Sequence, residues 1–395
     1  MHLSCLVSVL LVCGAAQAAV IPLQKLLIQQ IDNLSTPKMD LAAQGFRLIS
    51  TSQDNAAWMS EEQILGLRRK EIGFMDVTDQ DLEKLRTLDL PKRFAPPAKV
   101  SHKAIVTPLL ANISIPHMTE FLSHFSTFKT RYYQTATGAQ SVEWLYQQIA
   151  AIQPVNGDKV SVKLSKFYHD WGQFSIIARV ENVENPGRGS AEPAVVIGAH
   201  IDSANGANPY FGRSPGADDD GSGTTTILEA YRVLLGSGFT PSRPIEFHWY
   251  SAEEAGLLGS QKVAAQYKSE GRQIAGMYQC DMTGYVPKGR DPIVAIVTDF
   301  VDPDLTDFLR KVAGAYSSVK VVDTQCGYAC SDHASWTKAG YASTFGFETE
   351  FKDHSPFIHT SEDTVENLDF HHIAHFTRVA LGFAVELSLA REEEL

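Results

Sequence analysis

Long apolar runs, basic clusters and cysteines are all scarce in this chain. Acidic residues outnumber Lys and Arg by 46 to 34, giving a formal net charge of −12. No long basic run offsets that charge, so a nucleic acid is excluded as a partner. Beyond the N-terminal segment no stretch reaches the roughly 20 apolar residues that a membrane helix needs, so no membrane association is expected. Internal repeats and low-complexity tracts are also lacking. What is present is a chain of 395 residues with 44% hydrophobic content. That is enough for one large globular domain or two smaller ones, and it excludes disorder throughout.

The first residues, MHLSCLVSVLLVCGAAQA, carry a short apolar core and end in Ala16-Gln17-Ala18, with small residues at the two positions a signal peptidase reads. Residues 1–18 therefore read as a secretory signal, and the mature protein is expected to be secreted and extracellular. Of the five cysteines, Cys5 and Cys13 leave with that signal. Cys280 sits in an apolar run and reads as a buried thiol. In CGYAC, Cys326 and Cys330 suit a small disulfide-closed loop, with half of a zinc site as the alternative. Asn33 and Asn112 head N-x-S/T sequons and are glycosylation candidates on an exported chain. Nothing suggests an obligate partner, and a monomer is expected.

From Val20 to about Ala98 the sequence is helix-prone, with amphipathic runs such as LQKLLIQQI and EEQILGLRRKEI, and it carries no catalytic constellation. It ends in LPKRFAPPAK, where Lys92-Arg93 lies in a proline-containing, easily cut linker. Residues 19–93 are read as a pro-segment and residues 94–395 as the catalytic domain; a permanent helical cap is the alternative. Next come two helical patterns joined at Thr135 to Gly138, read as scaffold. Downstream, FSIIARV, AVVIGAHI, PIEFHWYSA, AGMYQCDM and PIVAIVTD read as strands, and TTTILEAYRVLLGSG as a helix. Strands apolar on both faces and alternating with helices imply an α/β fold, with a mostly parallel or mixed central sheet covered by helices on both faces.

In open α/β sheets ligands bind beyond the carboxyl ends of the strands. AVVIGAHIDS ends its apolar run at His200 and Asp202, PIEFHWYSAEE at Glu253 and Glu254, and MYQCDMTG at Asp281. Taken singly, a strand-end histidine, a Glu pair or a lone Asp is ordinary. Together with the triple carboxylate of PGADDDGSG and a later histidine, they form a shell of imidazole and carboxylate that suits zinc. Asp218, Asp219 and Asp220 repel one another unless cations or protons neutralise them. A tight, glycine-flanked turn of this kind supplies the shared carboxylate that a pair of metal ions requires. An EF-hand is excluded, because acidic residues do not recur at alternate positions.

In this order, GAHIDS, PGADDDGSG, SAEEAGLLGS, CDMTG, CGYACSDHASW and FIHTSEDT resemble the M28 zinc aminopeptidases, and most closely the secreted fungal leucine aminopeptidases. The likeness runs from about Ile113 to the C-terminus. It implies the α/β fold of zinc-dependent exopeptidases and two zinc ions bridged by Asp219. His200 and Asp281 would complete one metal site, Glu254 and His359 the other. It further implies Glu253 as general base, Asp202 as the carboxylate that orients His200, Tyr328 as donor to the developing oxyanion, and a cis peptide between Asp219 and Asp220. The substrates implied are peptides with a free N-terminus and an apolar first residue. Met282, Phe345, Phe351, Ile358 and the disulfide would wall the pocket for that residue. By the same resemblance His333 is structural, held by satisfied hydrogen bonds; His354 departs from the bacterial relatives, which carry an aromatic there, and is expected to line the pocket and tune substrate preference. Related folds host carboxypeptidases and glutaminyl cyclases, and metal-free relatives serve as binding modules. The complete ligand set with Glu253 favours hydrolysis.

Overall fold

The alternation of β-branched runs with amphipathic ones produces a layered sheet. A computed structural model describes residues 38–52, 55–78, 93–184 and 193–390. The leader with Cys5 and Cys13, Asn33, the LQKLLIQQI run and Lys92 lie outside the described residues. The chain divides into two units, residues 1–44 and 45–395. The described part of the first includes helix α1 (Lys38–Ala43).

The second unit begins with a three-stranded sheet in the order β2-β1-β3, built from β1 (Arg47–Ser52), β2 (Asn55–Met59) and β3 (Met75–Asp76). Helix α2 (Glu61–Arg68) lies between β2 and β3 and opens on a capping box, in which Ser60 and Gln63 satisfy each other's backbone amides. Ile49, Met59, Ile64 and Phe74 form its own small core. This differs from the helix-prone reading of the segment. Only α2 from the EEQILGLRRKEI run is helical, and it stops at Arg68 before the left-handed turn at Glu71 (φ 54°). The strands escape a periodicity reading because β1 buries one residue fully and β3 is two residues long.

Helices α3 (Lys103–Leu110), α4 (Ile115–Phe125) and α5 (Ala136–Ala151) lead into the main body. Ser114 caps α4 and Thr135 caps α5, each accepting a backbone amide bond three residues on. Then follow β4 (Val160–Phe167), β5 (Ser175–Asn182), β6 (Ala194–His200), α6 (Gly221–Gly236), β7 (Ile245–Tyr250), α7 (Leu258–Ser269), β8 (Ile274–Cys280) and β9 (Ile293–Val297). The chain closes with α8 (Pro303–Tyr316), β10 (Lys320–Thr324), α9 (His333–Ala339), β11 (Ser343–Phe347) and α10 (Phe370–Leu389). The eight-stranded sheet runs β10-β9-β11-β8-β6-β7-β5-β4. Its centre, β11, β8, β6 and β7, is parallel, whereas β4, β5 and the β9–β11 pairing are antiparallel. The strands expected from the sequence are present; β4, β10 and β11 are additions.

Period-two alternation sends Val195, Ile197 and Ala199 into the core under α6 and α10, and Val196, with Met277 of β8, into the core under α7 and α9. Helices thus cover both faces. Helix α6 lies so close to the sheet that a Cβ on Gly223 would sit 2.2 Å from the Cys280 carbonyl. This approach sets the Asp turn before α6 directly over the ends of β6 and β8. Among the described residues no helix is long and apolar enough to cross a membrane.

Candidate metal centre

Strands β8, β6 and β7 are neighbours and parallel, so the residues that follow them collect on one edge. His200 is the last residue of β6, Asp281 follows β8, and Glu253 and Glu254 lie just past β7. Asp219 comes from the turn before α6, and His359 from the loop between β11 and α10. The ligand atoms of His200, Asp219 and Asp281 lie within 4.8 Å of one another, as do those of Asp219, Glu254 and His359. Asp219 belongs to both groups: its Oδ1 is 3.1 Å from His200 Nε2 and its Oδ2 3.1 Å from His359 Nε2. The Asp219–Asp220 peptide is cis.

Each of the other carboxylates gives one oxygen to the protein and presents the other. Glu254 Oε1 accepts the Ala204 amide (2.9 Å), leaving Oε2 3.1 Å from His359 Nε2. Asp281 Oδ2 accepts the Ser331 hydroxyl (2.5 Å), leaving Oδ1 3.5 Å from His200 Nε2. Both His200 Nε2 and Asp281 Oδ1 are buried without a hydrogen-bond partner. Orphaned donor atoms facing one another are what a cation would satisfy, and a set of imidazole nitrogen and carboxylate oxygen fits zinc. The electrostatics agree. Burial pushes Glu254 up and Glu253 well above the carboxylate range. Burial also disfavours charge on His200, yet Asp281 and Glu253 lift it well above its ordinary value. The cluster carries more carboxylates than its histidines balance, and a divalent cation would meet that excess.

The three consecutive aspartates have separate tasks. Asp220 caps α6 through Gly223 (2.8 Å) and accepts the amides of His200 (3.0 Å) and Met282 (3.1 Å). Asp218 accepts the Gly284 amide (3.1 Å) and faces Glu348; burial pushes Asp218 well up and Glu348 to about 8. Only Asp219 faces the metal groups. Asp202 also differs from the expected arrangement. His200 Nδ1 is 3.1 Å from the main-chain oxygen of Asp202, whereas its carboxylate is 3.7 Å away and accepts the amides of Glu253 (3.0 Å) and Glu254 (3.2 Å). One residue therefore orients the imidazole through its backbone and the Glu pair through its side chain.

Two further residues of this layer are given no role by the sequence, although Asp363 lies within FIHTSEDT. Asp363 accepts the amides of Asp218 (2.8 Å) and Asp219 (3.1 Å). Arg131 is fully buried and donates to the carbonyls of Ile201 (2.7 Å), Gly216 (2.8 Å) and Pro215, stacking on Phe125 at 4.2 Å. Burial draws its guanidinium down to about 10 against the pull of Asp363, Asp220, Asp202 and Asp219. A lone arginine among aromatics, in FKTRYYQT, is the only sequence signal. Arg131→Met would leave three carbonyls without their donor and is expected to cost ~3–5 kcal/mol, measured as a fall in the calorimetric midpoint. An unchanged midpoint would mean that water replaces the guanidinium.

A cavity of about 190 Å³ opens onto the two groups. Met282, Phe345, Phe347, Phe351, Ile358 and Cys330 supply its apolar wall, and His354 lies at its edge with Nδ1 2.6 Å from the Phe351 carbonyl oxygen. Cys326 and Cys330 form a disulfide, and Cys280 is a buried free thiol. Tyr328 projects into the cavity from the disulfide loop. His333 is not held by hydrogen bonds as expected: neither ring nitrogen has a partner, and the imidazole, buried and drawn down to about 3, stacks on Phe345 at 4.8 Å. Packing, not hydrogen bonding, places it. The exposed Asn112 follows α3, its amide 3.3 Å from the Pro108 carbonyl.

Residues 68–74 also border the cavity. Arg68, Glu71, Ile72, Gly73 and Phe74 close its outer side, and a Cβ on Gly73 would lie 1.9 Å from the Tyr328 ring. Behind them, Asp76 N–H donates to the Gly256 carbonyl (3.0 Å), Gln261 to the Asp76 carbonyl (2.8 Å), and Arg47 to the Ala255 carbonyl (2.7 Å). Met75 and Val77 pack with Leu257 and Ala334.

A sheet-edge pair of imidazole–carboxylate groups sharing one carboxylate, with the unshared Glu253 beside them, defines a metallohydrolase centre. Comparison with known proteins carries this further. A model of Peptidase family M28 matches residues 176–384. A leucine aminopeptidase 1 of Coccidioides posadasii (strain C735) is 45% identical over 355 residues, covering 87% of this chain and 89% of its own. Another leucine aminopeptidase 1, of Ajellomyces capsulatus (strain NAm1 / WU24), is 41% identical over 404 residues, covering 99% of this chain and 100% of its own. The crystal structure of the Legionella pneumophila LapA aminopeptidase aligns with a TM-score of 0.73 at 32% identity, covering 89% of this chain and 96% of that one. The chain belongs to peptidase family M28, and it is an enzyme that hydrolyses peptide bonds.

Proposed function

We propose that this peptidase is a secreted aminopeptidase that removes leucine or another apolar residue from the free N-terminus of peptides, using two zinc ions, and that it is made as a less active precursor. The observation that carries this reading is the placement of Asp219, with one oxygen toward His200 and the other toward His359. When bound there, zinc supplies the Lewis acidity that polarises a carbonyl and makes water acidic near neutrality.

The chain's own residues supply the remainder. Glu253 stands outside both ligand groups, with Oε2 4.0 Å from His200 Nε2 and a side chain 13% exposed. Its raised pKa suits a base that takes a proton from water and returns it to the leaving amine. Tyr328 keeps its phenol proton, because burial and the carboxylates of Glu253, Asp219, Asp281 and Glu254 push its pKa up, and it therefore serves as a donor to the developing oxyanion. The wall of Met282, Phe345, Phe351 and Ile358 accepts an apolar side chain. The acidic cluster favours a protonated α-amine over an acylated one. Export follows from the leader at residues 1–18, with glycans expected at Asn33 and Asn112. Residues 19–93 act as a pro-segment removed near Lys92-Arg93, and the processed enzyme acts as a monomer.

The test is product analysis of the processed protein with a leucine-initiated peptide and its N-acetylated twin. Free leucine is expected from the first peptide only. Cleavage of both, or at an internal bond, would overturn the exopeptidase reading.

A further inference from the structure

We infer that Asp299 is a positioning residue for this reaction, its carboxylate fixing the loop that presents Tyr328 to the metal centre. The inference rests on the aminopeptidase reading and on Tyr328 as a donor.

Tyr328 has little of its own to hold it. Among the described residues its hydroxyl makes no hydrogen bond, and its ring meets Phe351 edge-on at 6.2 Å. Gly73 presses on the other side, but that contact disappears with the pro-segment. The position of the phenol therefore depends on its backbone. The disulfide between Cys326 and Cys330 limits the separation of the loop ends (Cα–Cα 6.1 Å). It leaves the loop free to swing about the axis joining them, and Gly327, at φ 86°, adds no side chain to resist.

Asp299 removes that freedom. It follows β9, and its two oxygens accept two successive backbone amides of the loop, Cys326 N–H at 3.0 Å and Gly327 N–H at 2.7 Å. Just before it, both the amide and the hydroxyl of Thr298 donate to the Thr324 carbonyl at 3.0 Å. The turn thus grips the chain on both sides of Gln325. At the far end, Ser331 is bound to the ligand Asp281. The donor Tyr328 is suspended between one anchor on the sheet and one on the metal centre. Asp299 lines none of the cavity that holds the reacting groups, so its influence reaches them only through the loop. A displacement of about 1 Å in such a group costs on the order of 10²-fold in rate.

The test is a double-mutant cycle of D299N and Y328F in the processed enzyme, measuring kcat and KM on a leucine substrate, with zinc content and free thiols as checks. An Asn at 299 accepts one amide and turns its own NH₂ toward the other. D299N is expected to lower kcat ~10–100-fold, with KM within ~2-fold and no new free thiol. Y328F should lower kcat as well, and the double variant should be no slower than Y328F alone. Losses that multiply, or a D299N enzyme with full kcat, would overturn the role of Asp299 while leaving Tyr328 standing. A Y328F enzyme with full kcat would instead remove the donor reading, and the positioning role with it. If D299N fails to fold, D299E keeps the charge at the wrong length; it is expected to lower kcat at unchanged KM, and full kcat would count against the proposal.

Discussion

Glu253→Gln is expected to lower kcat on a leucine-initiated peptide by ~10²–10⁴-fold, the range attributed to a positioned general base. The substitution keeps the size of the side chain and the backbone amide that binds Asp202, but a neutral amide cannot take a proton from water. Because Glu253 belongs to neither ligand group, the variant should retain the zinc content of the parent and a KM close to the parent's. Those checks separate loss of the base from loss of the site. Full turnover in the variant would show that another group accepts the proton.

The second large effect concerns residues 68–74. The uncleaved chain is expected to hydrolyse the same peptide at least ~100-fold more slowly than the processed enzyme, since a tethered segment competes at millimolar or higher effective concentration. Gly73 touches the Tyr328 ring with no room for a side chain, and Arg68 spans Phe74 and Tyr132 at 5.2 and 5.7 Å. Gly73→Val should therefore lift the loop and raise the activity of the uncleaved chain ~10-fold or more, while a form cleaved near Arg93, from which residue 73 would be gone, should stay unchanged. Assays of both forms before and after cleavage near Arg93 decide the matter; a fully active precursor would end the inhibitory reading. Arg93 itself is exposed and paired with Asp302 and Asp304 at 2.8 and 2.7 Å. A protease cutting at this point would have to break those surface ion pairs, which are worth little.

Much of this centre was legible in the sequence because its information is local. His200, Glu253, Glu254 and Asp281 announce themselves where apolar strands end, and Asp219 where glycines flank a turn that opens a helix. The small N-terminal sheet was not legible. Its strands bury too few residues to leave a period, and their pairing joins Ile49 to Asp76 across a helix. The expectation that His333 is hydrogen-bonded failed for a related reason: residue type alone does not tell that an imidazole will be stacked on Phe345 and left without partners.

The sequence by itself determined the α/β class, the residue types able to hold a metal, and the strand ends from which most of them come. Those properties follow from side-chain chemistry and short-range periodicity. Only the tertiary structure decided that Asp218 and Asp220 bind backbone amides beside the centre, that Asp202 serves His200 through its backbone, that Arg131 gathers carbonyls 84 and 85 residues away, and that Asp299 steadies the loop of Tyr328. These roles depend on hydrogen bonds between distant segments, and a hydrogen bond exists only where folding brings donor and acceptor within about 3 Å.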